Sequence, residues 1–94
     1  MPYIDPKERP RYDKQINEVV HLLVDKLPGD NGKHYNEGEL NYIISSIVWK
    51  LFDKRRSYSN GNTLVGVLEC VKQEFLRRRL NIYEDEKIKE NGDL

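Results

Sequence analysis

Residues 37–54 read EGELNYIISSIVWKLFDK, and this stretch decides the fold of the chain. Its apolar residues recur at three- and four-residue spacing, which is typical of one apolar face on an α-helix. The stripe consists of Leu40, Ile43, Ile44, Ile47, Val48 and Leu51. We therefore predict a helix over 37–54. The β-branched residues within 43–48 leave a strand as the alternative.

Two further amphipathic stretches flank this helix. One is predicted over 11–27, from the stripe Tyr12, Ile16, Val19, Val20, Leu23 and Leu27. The other is predicted from an N-cap at Asn62 to about Tyr83, from the stripe Leu64, Leu68, Val71 and Phe75. Since strand alternation is absent, we predict an all-α fold: one helical domain over 1–94, a small bundle of three main helices with a body over 11–83. An open helical array is the alternative arrangement of the same helices.

The segments outside the helices are also distinct. The arm, 1–10, contains three prolines, which exclude a long helix. Asp5 and Pro6 can nevertheless open one short turn, as N-cap and first helical residue. Residues 28–36 are rich in turn formers and predict a loop. The charged tail, 84–94, is expected to extend or fray past the core.

Composition argues for binding rather than catalysis. Basic and acidic residues number 16 each, so no net field attracts nucleic acid or an anionic membrane. The single cysteine, Cys70, has no histidine placed by local sequence to activate it. Its half-turn offset from the stripe of the third helix predicts a partly buried thiol with no catalytic role. We expect no enzyme activity, no metal ion, no cofactor and no membrane association. A lone cysteine and no visible signal peptide favour the cytoplasm.

An aromatic back face on the second helix predicts an interface. At about 100° per residue, Tyr42 and Trp49 lie close together and opposite the core stripe. Aromatic residues are enriched at subunit interfaces, and a small core gains buried area by oligomerisation. We predict a homo-oligomer that uses this face. The alternative is cover from the arm or the tail of the same chain.

The sequence KRRSYSNGN at 54–62 precedes the third helix and suits an anion. Backbone N–H groups at a helix start attract phosphate, and Arg55 and Arg56 add charge. Tyr58 is placed to stack on a base. The alternative is a basic helix end followed by an ordinary turn.

Arginine and tyrosine also recur near the ends of other elements. Arg78 and Arg79 flank the apolar stripe of the third helix, although a Glu74–Arg78 ion pair is the simpler alternative. The candidate ligand-binding residues are Tyr3, Arg9, Arg11, Tyr12, Arg55, Arg56, Tyr58, Arg78, Arg79 and Tyr83. As a set they predict capture of a phosphorylated nucleotide.

Four stretches resemble, in order and spacing, a family of small helical proteins found in tailed phages and prokaryotic genomes. They are MPYIDPKERP at 1–10, GELNYIISSI at 38–47, VGVLECVKQEFLRR at 65–78 and YEDEKIKENGD at 83–93. The family is defined only by its sequence. A phage setting implies one expected function in the host cytoplasm: an oligomeric sponge that sequesters the cyclic nucleotides of bacterial antiphage signalling, an anti-CBASS role. The alternative is an adaptor that docks a protein partner through Tyr42 and Trp49.

Overall fold

The computed structural model describes residues 4–24 and 33–93, and all regular structure in these ranges is helical. The elements are a 3₁₀ turn at Pro6–Glu8, α1 at Pro10–Val24, α2 at Glu37–Lys54, α3 at Tyr58–Phe75, a π-helical segment at Leu76–Leu80 and α4 at Asn81–Asn91. The predicted all-α class is therefore confirmed for the described residues. A strand over 43–48 is excluded, because these residues lie within α2.

The bounds of α2 match the prediction. Its start is capped by Asn36, whose Oδ1 accepts a hydrogen bond of 3.1 Å from the backbone N–H of Glu39. The start of α1 lies one residue before the predicted position. Its predicted end at residue 27, and residues 28–32 of the predicted loop, lie outside the described residues.

The predicted turn in the arm is present. Asp5 is the N-cap, and its Oδ1 accepts a 2.9 Å hydrogen bond from the backbone N–H of Lys7. Pro6 occupies the first position, where its missing N–H has no partner to lose. The path of the arm across the body stays a prediction.

The predicted start of α3 at Asn62 is wrong, because the helix begins at Tyr58 with Ser57 as its N-cap. The Ser57 Oγ accepts a 3.0 Å hydrogen bond from the backbone N–H of Asn60. The Asn60 side chain donates to the backbone oxygens of Leu51 at 3.2 Å and Arg55 at 2.9 Å. These bonds join the end of α2 to the start of α3 and favour Ser57 over Asn62 as the N-cap.

Replacing the N-cap tests this assignment. Ser57→Ala is expected to lower the free energy of unfolding by about 1 kcal/mol, because a first-turn N–H loses its acceptor. Ser59→Ala is the matched control, since the Ser59 side chain makes no hydrogen bond within the described residues. Urea unfolding followed by circular dichroism measures both. Equal losses in the two variants would contradict the cap.

The helical path continues past the predicted end at residue 83. A π-helical segment follows α3, and α4 then runs to Asn91. Gly92 ends it with a φ of 82°, a left-handed conformation that favours glycine, and its N–H donates to the Ile88 oxygen at 2.8 Å. Most of the predicted tail is therefore helical. Of the two outcomes expected for the tail, continuation and fraying, the structure shows continuation.

The chain divides into two compact units, Met1–Ile47 and Val48–Leu94, and each is described by itself. In the described part of the first unit, Leu23 is the only buried residue, at 8% exposure. No described residue of the second unit is buried. The predicted core stripes are thus largely exposed, Val71 at 61% and Phe75 at 56% among them. The predicted bundle stays a prediction.

Candidate ligand and assembly sites

A shallow groove of about 470 Å³ lies where α2 ends and α3 begins. Its lining residues are Phe52, Arg56, Ser57, Tyr58, Gly61 and Asn62. The two hydrogen bonds from the Asn60 side chain fix this corner. Of the predicted residues of the loop, Arg56 and Tyr58 line this groove, whereas Arg55 lies on the same turn outside the lining.

The two arginines of this corner differ in their surroundings. The Nε of Arg56 lies 3.6 Å from Oδ1 of Asp53, and its guanidinium is 5.9 Å from the centroid of the Phe52 ring. The Arg55 side chain has no ion-pair partner within the described ranges. Arg55 is thus the side chain with a positive charge available to an anion.

Tyr58 is the most exposed large hydrophobic side chain among the described residues, at 94%. It opens α3, and the backbone N–H groups of Tyr58 and Ser59 have no carbonyl partner within the helix. Positive helix ends and free N–H groups favour anions. Chemically, the corner can bind a phosphate beside an aromatic ring on which a base can stack.

A second groove of about 390 Å³ lies at the start of α1. It is lined by Ile4, Arg9, Tyr12, Asp13 and Ile16. The structure therefore brings two predicted ligand residues, Arg9 and Tyr12, together here. The guanidinium of Arg11 is 5.6 Å from the Tyr12 ring centroid, so a base that stacks on that face must displace it. Tyr3 lies outside the described residues.

The three consecutive arginines lie in the π-helical segment, a type of distortion often found at functional sites. Arg77 Nη2 and Arg78 Nε each lie 2.9 Å from Glu74 Oε2, which confirms the predicted Glu74–Arg78 pair. Arg79 has no ion-pair partner within the described ranges. The ring centroid of Tyr83 lies 5.5 Å from Nζ of Lys87. Two of the three consecutive arginines are thus in ion pairs with Glu74.

The predicted ligand residues of the second unit form two separate clusters. Tyr58 and Arg78 are twenty residues apart along one helical path, which is about 30 Å. One nucleotide cannot reach both clusters on a single copy of this unit. A ligand that uses the corner of α3 together with Arg79 or Tyr83 would need two copies of the chain.

The aromatic residues predicted at an interface are exposed in their own units. Tyr42 is 72% exposed in the first unit, and Trp49 is 67% exposed in the second. Trp49 lines an apolar groove of about 430 Å³ with residues of α2 and α3, including Phe52, Leu64, Val65 and Leu68. The sequence prediction missed this groove, because it placed Leu64 and Leu68 on the core stripe of the third helix and Trp49 on the opposite face of the second.

The chain as a whole, residues 1–94, matches the family model described as a domain of unknown function (DUF6899). The chain belongs to the DUF6899 family. Membership of a family defined by its sequence is thereby confirmed, and a phage setting stays a prediction. No curated protein and no solved structure matches the chain. Within the described ranges, no helix of this DUF6899 member has the length and hydrophobicity needed to cross a membrane.

Cys70 in this DUF6899 member is partly buried, as the sequence predicts. Cys70→Ser is expected to change the free energy of unfolding by about 1 kcal/mol or less, because the site is only partly removed from water. Ligand binding should be unchanged. Parallel calorimetry and thermal unfolding measure both properties. A folded Cys70→Ser protein that has lost binding would show that the thiol takes part.

Proposed function

We propose that this chain is a non-enzymatic binding protein, a homo-oligomer that captures a phosphorylated nucleotide, with a cyclic nucleotide as the leading ligand. One observation gives the main support for a phosphorylated nucleotide as the ligand. Arg55, whose side chain has no ion-pair partner among the described residues, lies three residues before Tyr58, which is 94% exposed and begins a helix.

Each part of this corner suits one part of a nucleotide. An arginine–phosphate contact is charge-assisted and can be bidentate, so it is stronger than a neutral hydrogen bond. The first turn of α3 adds backbone N–H groups that point at the same charge. An exposed tyrosine ring offers a stacking surface that accepts any base. A compact anion fits these features better than a long polyanion, since the net charge of the chain is zero.

The residues of the corner support capture without turnover. Ser57 is the only hydroxyl in the groove besides Tyr58, and its Oγ already accepts a hydrogen bond from the first turn of α3. No histidine lines the groove to serve as a general base. The residues present can therefore hold a phosphate, and the proposal includes no covalent step.

Assembly is the second part of the proposal. The apolar stripes are exposed in each unit, and the two arginine–tyrosine clusters of the second unit lie about 30 Å apart. Pockets between copies would bring different clusters to one ligand and would shield it from water. The resemblance to phage proteins supplies a purpose, the removal of a cyclic nucleotide signal from antiphage defence.

The test is isothermal titration calorimetry with cyclic dinucleotides, cyclic trinucleotides and linear mononucleotides, followed by chromatography of the recovered ligand. We expect heat with at least one nucleotide, weaker binding at higher salt, and an intact ligand. No heat from any nucleotide at tens of micromolar would reject the ligand class. A cleaved product would reject capture without turnover.

A protein-interaction adaptor is the second candidate. The exposure of Tyr42 and Trp49 favours it, because large exposed aromatic side chains are typical anchors of protein interfaces. An adaptor would show no heat with nucleotides and would stay a single copy until its partner is added. Light scattering alongside the calorimetry separates the two functions.

A further inference from the structure

The second unit carries an apolar groove and an apolar ridge side by side on α3. The groove lies between α2 and α3 and includes Trp49, Leu64, Val65 and Leu68. The ridge consists of Val71 and Phe75, which continue the three- and four-residue spacing of Leu64 and Leu68. Since Val71 and Phe75 are three and seven residues after Leu68, the ridge extends from about 4.5 to about 10 Å beyond the groove along the helix.

We propose that this face binds a second copy of the chain, with Val71 and Phe75 of each copy entering the groove of the other. Concave and convex halves on one patch are self-complementary under a two-fold rotation, in which each contact occurs twice. This inference rests on the assembly in the proposed function. It names the surface and the partner that the assembly uses.

The charges around the patch fit an identical partner. Asp53 pairs with Arg56 at 3.6 Å on the groove rim, and Lys72, which follows Val71 in the sequence, pairs with Glu69 at 3.9 Å. Each pair is neutral within one copy, so two copies do not repel each other when the patches meet. A strongly acidic or basic partner would meet no opposite net charge from these pairs.

The exposed area is also sufficient for a stable contact. Trp49 at 67% exposure and Phe75 at 56% each present roughly 100 Å² or more. With Val65, Leu68 and Val71, the apolar area reaches roughly 400 Å² per copy. A stable interface covers about 800 Å² per partner, of which about 60% is apolar. The patch therefore supplies most of the apolar part of such an interface.

The single tryptophan of the chain reports on this contact without any substitution. Trp49 lies in the groove, so assembly should move its fluorescence emission to shorter wavelength, and dilution should reverse the shift. We expect the emission shift and the mass from light scattering to follow the same concentration dependence. A large assembly whose Trp49 emission stays typical of water would overturn the proposal. A concentration-independent monomer with a shielded Trp49 would also overturn it.

A matched pair of variants locates the face. Val71→Arg places a charge on the ridge, whereas Gln73→Arg places the same charge about half a turn away on α3. Val71→Arg should raise the dissociation constant of the assembly by roughly 30-fold or more, and Gln73→Arg by less than about threefold. Sedimentation velocity over a concentration series measures both. Equal dissociation constants for Val71→Arg and the unchanged protein would overturn the proposed face.

Folding and ligand binding are controlled separately. Helix content from circular dichroism should be the same in all variants. If Val71→Arg has a lower helix content than the unchanged protein, Phe75→Leu is the test instead. Weaker assembly of Phe75→Leu at full helix content supports the proposed face, and unchanged assembly overturns it. Nucleotide calorimetry distinguishes this inference from the proposed function. Assembly through this face without any nucleotide heat would reject the ligand, and nucleotide binding by an assembly unaffected at Val71 would reject the face.

Discussion

Replacing Arg55 and Tyr58 together by alanine is expected to lower nucleotide affinity by about 3 kcal/mol, roughly a hundredfold. The arginine contributes a charge-assisted contact to phosphate, and the tyrosine contributes stacking on a base. Neither side chain is buried, so the fold should remain intact. Calorimetry with the ligand that binds the unchanged protein measures the effect.

Two controls sharpen this prediction. Lys50→Ala removes an exposed positive charge from α2 outside the corner, and it should change affinity by less than about threefold. Arg55→Lys keeps the charge and loses bidentate geometry, so it should bind with intermediate affinity. If Lys50→Ala and the double variant lose affinity equally, the effect is general electrostatics and the corner is not the site.

Trp49→Ala is expected to weaken self-association by about 2 kcal/mol or more, roughly 30-fold in the dissociation constant. Its large exposed ring lies in the apolar groove of the second unit and has the character of an interface anchor. Tyr35→Ala is the control, because it removes another exposed aromatic ring that lies outside this groove. Sedimentation equilibrium measures both variants. Normal assembly of Trp49→Ala would contradict the interface.

The parts of the fold that follow local periodicity could be predicted from sequence. The apolar spacing within 37–54 and the charges at its ends were sufficient for both bounds of α2. The short turn after Asp5 was also predictable, because an N-cap followed by proline constrains its own backbone.

The start of α3 was not predictable in the same way. Ser57, Ser59, Asn60 and Asn62 are all good N-cap residue types, so local sequence does not choose among them. The choice depends on the Asn60 side chain, which bonds to a carbonyl oxygen nine residues earlier, at Leu51. A contact that joins two helices leaves no signal in the apolar period of either one.

The candidate sites also divide into features that follow from local sequence and features that depend on contacts between helices. The Glu74–Arg78 pair follows from i,i+4 spacing, and the partial burial of Cys70 follows from its offset from the stripe. The availability of Arg55 and the pairing of Arg56 with Asp53 depend instead on how the chain turns between α2 and α3. The sequence pattern does not distinguish Arg55 from Arg56, whereas the turn between α2 and α3 gives the two side chains different surroundings.

The central claim is that copies of this chain assemble and hold an intact phosphorylated nucleotide. Native mass spectrometry of the protein after incubation with a mixture of cyclic di- and trinucleotides tests it most directly. The account predicts an assembly of a whole number of chains, each weighing 11.2 kDa, that carries nucleotide of unchanged mass. A single chain without ligand, under conditions that preserve other non-covalent complexes, would contradict it.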